Sequence, residues 1–319
     1  MKSKRTVSIN NTKTLLNVCG INDKNLRKIN QLSGDSVYSI GNEIHFEGEN
    51  SDIVEKTIKN LIIISENGGT IYGNLIELLF KEIEKNRDID INSILTENIE
   101  INKAKKIYNP RSINQGLYIQ ILKEKDIIFS YGPAGTGKTF LAIAYAINEL
   151  LNKKYNKLIL TRPVVEAGEN LGFLPGDYIQ KINPYLVPLF DAINSILPPE
   201  IYLKLSSQNL IEIAPLAYMR GRTFNDSIVI LDEAQNTTYT QMKMFLTRLG
   251  DNAKLIITGD ISQIDLPKKA KSGMVEALKI LRHIEGIGFI EFKEEDVVRH
   301  PLVKKIIKAY SEHEKRDEQ

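Results

Sequence analysis

One eight-residue segment constrains the fold of this chain more than any other. Residues 132–139 read GPAGTGKT, which fits the pattern G-x-x-x-x-G-K-[ST]. The apolar run Ile127–Ser130 comes directly before it, and a stretch of helical character, Phe140–Ala144, follows. A strand, a glycine-rich bend and a helix in this order predict a loop that binds phosphate, because backbone N–H groups and the helix N-terminus point at the anion.

The residues of this loop have separate expected roles. Lys138 can reach the β- and γ-phosphates, which serves both binding and catalysis, and the hydroxyl of Thr139 can bind Mg²⁺. The sequence therefore predicts a nucleoside triphosphate with Mg²⁺. The residues expected to contact the nucleotide in this segment are Gly132, Pro133, Ala134, Gly135, Thr136, Gly137, Lys138, Thr139 and Phe140.

Short apolar runs and helical segments alternate after residue 113. This alternation predicts an α/β domain in which a parallel sheet is covered by helices on both faces. The apolar runs are Ile127–Ser130, Leu158–Thr161, Ile228–Leu231, Leu255–Thr258 and Gly288–Phe292. The helical segments are Thr139–Leu151, Thr240–Leu249, Gly273–Leu281 and Leu302–Tyr310.

Polar side chains follow two of these apolar runs. Asp232 and Glu233 end one strand, and Gln263 follows another. Asp232 would face the phosphate loop and hold Mg²⁺ through water, while Glu233 suits a general base that orients attacking water. The amide of Gln263 can report whether the γ-phosphate is present. An acidic pair in this position favours nucleotide hydrolysis over phosphoryl transfer to a small metabolite.

The first hundred residues have a different character and predict a small α+β module. The polar, basic region 101–112 separates it from the rest, which gives predicted domains of 1–105 and 106–319. The predicted elements of the module are helix Asp23–Leu32, a hairpin of Ser36–Ile40 with Glu43–Glu47 around Gly41-Asn42, helix Ser51–Ile64 and a helical extension over Leu75–Lys85.

The order of these elements resembles part of a KH domain. Residues 20–23, GIND, sit where a KH domain has its GxxG loop, which clamps a nucleic-acid backbone. Asp23 replaces the second glycine, and its charge opposes phosphate. The module is therefore predicted to be KH-like, with RNA binding and protein docking both open as its role.

Composition excludes several classes of protein. No run approaches the ~20 apolar residues of a membrane helix, and the polar start has no apolar signal core, so we expect no membrane association and a cytoplasmic location. The lone Cys19 excludes an internal disulfide and, with four scattered His, a Cys/His zinc cluster. The net charge is only +2, so any nucleic-acid binding must come from a local patch.

Several longer strings accompany the phosphate loop. They are TRPVVEAGENLGFLPGD (161–177), AYMRGRTFND (217–226), ILDEAQNTTYTQMKMFLTRLG (230–250), ITGDISQIDLP (257–267) and DVVRHPLV (296–303). Together they resemble the PhoH-like ATPases. The resemblance covers about residues 110–310 and implies a cytoplasmic, ATP-binding, RecA-like core related to superfamily 1 helicases and associated with RNA and ribosome metabolism.

Two further residues resemble motifs of helicases. Gln115 in NPRSINQG resembles a Q-motif that reads adenine, and Arg162 resembles helicase motif Ia, which lies along a single strand of nucleic acid.

Hydrolysis also needs an arginine to neutralise charge on the γ-phosphate. The chain has about 190 residues after Gly132, too few for two RecA-like cores. Arg248, Arg299 or Arg222 could supply the charge, either within the chain or from a neighbouring subunit. We therefore expect a homo-oligomer, with a closed ring such as a hexamer as one form.

Two functions follow from these features. The first is an ATPase directed by single-stranded RNA, which in its strongest form unwinds or remodels RNA. The second is a nucleotide-controlled binding module that recruits an endoribonuclease or a ribosomal partner. A small-molecule kinase is disfavoured, because Asp232, Glu233 and Gln263 suit water as the nucleophile.

Overall fold

A computed structural model describes residues 3–66, 73–84, 97–163, 178–267 and 270–298, together with 68, 71 and 94. Its contacts divide the chain into two compact units. One contains Met1–Asn98 and Ile107–Gln120, and the other contains Ile99–Lys106 and Ile121–Gln319. The chain changes unit after Asn98, after Lys106 and after Gln120. The domain boundary between residues 105 and 106 stays a prediction.

In its described residues, the first unit contains a three-stranded antiparallel sheet of order β1-β3-β2 and helices that pack on the sheet and on one another. The predicted hairpin is present, with Ile40 opposite Glu43. Its core includes Phe46, Ile58 and Leu79. The strands are β1 (Ser3–Ser8), β2 (Ser36–Ile40) and β3 (Glu43–Gly48). The helices are α1 (Thr12–Cys19), α2 (Lys24–Ser33), α3 (Ser51–Glu66) and α4 (Gly73–Glu84).

Strand β1 and helix α1 were not predicted from the sequence. Strand β1 has little apolar alternation and is placed by its pairing with β3. Helix α1 does have a local sequence signal, which is Asn11 at the position before its first residue. The side chain of Asn11 caps the helix by accepting hydrogen bonds from the N–H groups of Lys13 and Thr14. The GIND segment follows α1, with left-handed backbone at Asn22 and Asp23. The KH-like assignment of this unit stays a prediction.

The second unit is built on a six-stranded parallel sheet of order β11-β6-β10-β9-β7-β8. The predicted parallel α/β architecture is confirmed. The sheet strands are β6 (Ile127–Tyr131), β7 (Lys157–Arg162), β8 (Ile211–Pro215), β9 (Ser227–Leu231), β10 (Lys254–Gly259) and β11 (Ile287–Glu291). Two short strands precede them, β4 (Ile99–Ile101) and β5 (Lys106–Tyr108).

Helices connect and cover these strands. They are α6 (Lys138–Leu151), α7 (Tyr178–Ile196), α8 (Pro199–Ser207), α9 (Tyr239–Leu246) and α10 (Gly273–Leu281). Helix α5 (Ile113–Glu124) precedes β6, and most of it belongs to the first unit. The predicted helix Leu302–Tyr310 lies outside the described residues. Within the described ranges, no helix combines the length and the apolar character needed to cross a membrane.

Helix α7 forms in a part of the chain whose composition argues against a helix. Residues 171–200 contain five prolines, yet α7 includes both Pro184 and Pro188. A proline inside a helix costs about 3 kcal/mol or more because it removes a hydrogen bond. Here the apolar side chains Leu189, Ile193 and Ile196 recur on one face and are fully buried, which offsets that cost.

Buried Lys254 begins β10 and makes the stability of this unit depend on pH. Its Nζ donates a hydrogen bond to the carbonyl of Lys125 and lies 5.9 Å from the ring centre of Tyr145. Burial lowers the pKa of Lys254 to about 8, and nearby Asp126 only partly opposes this shift. An unfolded lysine has a pKa of about 10.4, so between about pH 8 and 10.4 the unfolded chain holds the extra proton.

We therefore expect the free energy of unfolding to rise with pH across this window. Relative to a Lys254→Met variant, the parent should gain about 3 kcal/mol between pH 7 and 10.5, because one pKa unit is worth about 1.4 kcal/mol. Urea denaturation of both proteins at several pH values measures the difference, and groups common to both cancel. Parallel pH profiles for the two proteins would contradict the lowered pKa.

Candidate nucleotide site

The glycine-rich segment forms the connection between β6 and α6. Strand β6 lies inside the sheet between β10 and β11, so the loop emerges at the carboxyl edge. Gly132 has a φ of 135°, and a side chain there would approach within 2.2 Å of the carbonyl oxygen of Phe292. Gly135 and Gly137 also have positive φ values. Glycine is therefore required for the tight bend and for close backbone packing.

Lys138 is folded onto this loop and is largely buried. Its Nζ donates to the carbonyl oxygens of Gly132 and Pro133, at 2.7 and 2.8 Å. The hydroxyl of Thr136 also donates to the carbonyl of Pro133. The ammonium group is thus held within the bend by neutral carbonyl oxygens. Phosphate oxygens would be stronger hydrogen-bond acceptors than these carbonyls, because they carry charge.

Asp232 and Thr139 form a compact oxygen-rich corner beside the loop. The hydroxyls of Thr139 and Thr258 each donate to Oδ1 of Asp232 at 2.6 Å. Asp232 is only 3% exposed. Mg²⁺ prefers oxygen ligands and is commonly held by one or two protein groups plus substrate phosphates and waters. The side chains of Thr139 and Asp232 fit this requirement and would hold the ion against a bound triphosphate.

Arg162 contacts the same carboxylate from the neighbouring strand β7. Its Nε and Nη2 donate to Oδ2 of Asp232 at 2.8 and 2.5 Å, and Nη2 lies 3.7 Å from Oε1 of Glu233. Its Nη1 donates to the carbonyl of Tyr185 in α7. The side chain is 15% exposed. The guanidinium of Arg162 thus contacts the oxygen-rich corner. The nucleic-acid contact that the resemblance implies for Arg162 stays a prediction.

Glu233 stands at the open side of this corner. Its backbone is left-handed, with a φ of 54°, and its side chain is 45% exposed. A non-glycine residue in this conformation is uncommon and occurs frequently at functional sites. The amide of Gln235 donates to Oε2 of Glu233 at 2.7 Å and to the carbonyl oxygen of Gln263 at 3.1 Å. Gln235 thus links the candidate base to the segment after β10.

Gln235 is a further residue of the site that was not predicted from the sequence. It is almost fully buried, and its Oε1 accepts a hydrogen bond from the N–H of Asp260 at 3.0 Å. The only sequence signal is a glutamine two residues after the acidic pair. Its contacts cannot be inferred from that spacing, because they join segments separated by about 25 residues.

One cavity of about 260 Å³ brings most of the predicted site together. Its wall includes the expected lysine, metal ligands, base and sensor. The lining residues are Ala134, Gly135, Gly137, Lys138, Thr139, Phe140, Asp232, Glu233, Gly259, Asp260 and Gln263. Gly132, Pro133 and Thr136 shape the loop behind this lining and hold Lys138.

Other predicted residues are placed elsewhere or are not described. Gln115 belongs to the first unit, where it is buried and its Oε1 accepts from the N–H of Arg111 at 2.7 Å. Arg248 donates to the carbonyls of Met244 and Arg222 and does not line the cavity of its own chain. Arg299 lies outside the described residues. An adenine-reading role for Gln115 stays a prediction.

Arg222 likewise serves another contact. Both of its terminal nitrogens donate to Glu212, at 2.6 and 3.0 Å, and the cavity lining does not include it. Which arginine completes the site, and whether it acts within the chain or from a neighbouring subunit, stays a prediction.

Comparison with known proteins gives a consistent family relationship. The "PhoH-like protein" family matches residues 107–311. The PhoH-like protein of Bacillus subtilis (strain 168) is 47% identical over 288 residues, which are 90% of this chain and 88% of that protein. The PhoH-like protein of Mycobacterium leprae (strain TN) is 44% identical over 305 residues, 95% of this chain and 87% of that protein.

Similarity to solved structures is much weaker. The Hef helicase domain of Pyrococcus furiosus aligns with 58% of this chain and 38% of its own, with a TM-score of 0.34 and 17% identity. A likeness of this size carries no inference about activity. The sequence relationship is decisive by itself, because it spans most of both chains and includes the loop and strand ends that form the cavity. This chain belongs to the PhoH-like protein family.

Proposed function

We propose that this protein hydrolyses ATP with Mg²⁺ and that hydrolysis is coupled to binding single-stranded RNA. The observation that carries the hydrolytic part is the shared cavity of Lys138, Thr139, Asp232, Glu233 and Gln263. Phosphoryl transfer to water depends on positioning and charge stabilisation more than on covalent chemistry. A cavity with these groups provides both.

Each group has a defined part in the reaction. Lys138 exchanges loop carbonyls for the β- and γ-phosphates and neutralises their charge. A Mg²⁺ ion on Thr139 and Asp232 would supply Lewis-acid stabilisation of the same oxygens. Glu233 orients a water molecule and accepts its proton as the water oxygen bonds to the γ-phosphorus, which releases ADP and phosphate. Gln263 would donate its amide to the γ-phosphate or to the water.

Exposed groups in the segments that follow β8 and β9 support RNA as the partner. Tyr218 and Arg220 follow strand β8, and Tyr239 begins helix α9, which comes after β9 in the chain. The two tyrosines are about half exposed and Arg220 is exposed. Single-stranded nucleic acids bind surfaces where aromatic rings stack on bases and cations contact the backbone. These three side chains supply both kinds of group.

The first unit gives separate support. The left-handed GIND segment is followed by the basic side chains Lys24 and Arg27 at the start of α2. The N–H of Asp23 already donates to the carbonyl of Gly20, however, and its carboxylate accepts from Ser39. Of the two RNA contacts that we propose, the GIND loop is therefore less well supported than the exposed tyrosines and Arg220 of the second unit.

The placement of the arginines favours a second candidate function. Arg248 and Arg222 do not line their own cavity, so a homo-oligomer, such as a closed ring, would let a neighbour complete the site. ATP would then control assembly. In this alternative, the assembled protein recruits an endoribonuclease or a ribosomal partner and does not unwind RNA itself.

ATP turnover with and without RNA separates these functions. We expect a single-stranded RNA oligonucleotide to raise the rate and added salt to reduce the effect, because phosphate contacts release counterions. A Tyr218→Ala variant should bind this RNA more weakly by ~1–3 kcal/mol, the value of one base–aromatic stack, with an unchanged rate in the absence of RNA. Turnover can be followed by phosphate release.

The Glu233→Gln protein with the same RNA controls for contaminating ATPases, and DNA of matching sequence tests the nucleic-acid class. Turnover that is insensitive to RNA, together with ATP-dependent binding of a protein partner, would reject RNA coupling and favour the assembly function.

A further inference from the structure

We propose that Arg162 is a positioning residue for Mg²⁺, acting by holding the Asp232 carboxylate in the orientation that directs Oδ1 at Thr139. The inference rests on the proposed function, because it assumes that a Mg²⁺–nucleotide complex occupies the cavity. Arg162 does not line that cavity, and we assign it no contact with substrate.

The two oxygens of Asp232 have different partners. Oδ1 accepts from the hydroxyls of Thr139 and Thr258, both at 2.6 Å. Oδ2 accepts from two nitrogens of Arg162, at 2.8 and 2.5 Å. The guanidinium therefore covers Oδ2, whereas Oδ1 is the oxygen beside the expected metal ligand Thr139. Arg162 can keep its contact with Oδ2 while Oδ1, in the same orientation, would accept a hydrogen bond from a metal-bound water.

The guanidinium is itself held in place. Arg162 ends β7, and the N–H of Asp232 donates to the carbonyl of Thr161 at 2.9 Å, so strand pairing sets the two side chains next to each other. The remaining terminal nitrogen of Arg162 donates to the carbonyl of Tyr185 at 3.1 Å. Three of its nitrogens thus have fixed acceptors on β9 and α7, which leaves little freedom for the carboxylate to rotate.

The buried negative charge of Asp232 also requires its contact with Arg162. A carboxylate as buried as that of Asp232 is costly without a compensating cation. Arg162 provides this compensation before a metal binds. A planar guanidinium does so through two directed hydrogen bonds, whereas the ammonium group of a lysine is a point charge that fixes no orientation.

A competing role would give the opposite result. If Arg162 occupied the place of Mg²⁺, removing it would make the metal bind more tightly. If Arg162 instead orients Asp232 by binding Oδ2, removing Arg162 should weaken metal binding by about 10- to 100-fold. This is the usual effect of removing a residue that hydrogen-bonds to a metal ligand.

Equilibrium binding of a fluorescent, non-hydrolysable ATP analogue across a Mg²⁺ titration tests the proposal. For Arg162→Gln we expect the Mg²⁺ concentration at the midpoint to rise about 10- to 100-fold, with unchanged nucleotide affinity in EDTA. Arg162→Lys should give a smaller rise, because charge is kept but the two directed bonds are not. Arg5→Gln is the control, since it removes a pair of charged hydrogen bonds, to Asp52 and Glu55, from an arginine that does not line the cavity.

An unchanged or lower Mg²⁺ midpoint in Arg162→Gln would overturn the inference. A thermal melt verifies that each variant is folded. If Arg162→Gln does not fold, the Arg162→Lys variant decides, and an unchanged Mg²⁺ midpoint in that variant would also overturn the inference. Failure of the parent protein to bind the analogue at any Mg²⁺ concentration would instead refute the proposed function, so the two failures are distinguishable.

Discussion

A Lys138→Ala variant is expected to lose at least about 100-fold in affinity for ATP. The ammonium group would form charge-assisted hydrogen bonds with the β- and γ-phosphates, and such bonds contribute about 1.5–3 kcal/mol each. Two of them account for a factor of about 10²–10⁴. The change should appear in the dissociation constant of a fluorescent ATP analogue, measured at equilibrium with Mg²⁺.

The control for this experiment is Lys279→Ala. It removes one positive charge from an exposed pair with Glu276 in α10, outside the cavity lining. Its nucleotide affinity should match that of the parent. Because Lys138 also donates to two loop carbonyls, a melting curve is needed to separate lost binding from lost folding. A folded Lys138→Ala protein with parental affinity would exclude the loop as the phosphate site.

A Glu233→Gln variant is expected to bind ATP normally but to hydrolyse it about 10²–10⁴ times more slowly, the usual contribution of a general base. The substitution preserves shape. The new amide can turn its oxygen toward Gln235, so the hydrogen bond that holds residue 233 survives. Single-turnover hydrolysis and equilibrium binding, measured on the same preparation, report the two steps separately.

Glu276→Gln provides the corresponding control, since it neutralises a carboxylate in the surface pair with Lys279. Hydrolysis by this protein should be unaffected. If Glu233→Gln turned over ATP at the parental rate, the base would have to be another group of the cavity. Asp260, which lines the same cavity, would then be the next residue to test.

The sequence was most informative where function depends on local backbone geometry. The glycines of the loop are needed because Gly132 packs against the carbonyl of Phe292 and Gly135 and Gly137 adopt positive φ. Such requirements leave a short signature of residue types. The same holds for Asp232 and Glu233, because an apolar strand that ends in carboxylates at the carboxyl edge of a parallel sheet is visible as a pattern.

The sequence was misleading where a local cost is offset by distant contacts. The prolines of α7 argued against a helix, yet burial of Leu189, Ile193 and Ile196 maintains it. Arg162 forms an ion pair with Asp232, which is 70 residues away in sequence, and this contact was not predicted. Neither partner could be identified from spacing, since sheet order decides which strand ends are neighbours.

The amino-acid sequence by itself therefore determined the phosphate loop, the acidic pair, the parallel α/β class and the family. These depend on short-range backbone requirements and on the period of apolar residues. Only the tertiary structure decided that Arg162 and Gln235 support the site, and that Arg248 and Arg222 do not line it. The physical reason is that a hydrogen bond needs its two partners within a few ångströms. Residues that are far apart in sequence meet this condition only where the fold brings their strand ends together.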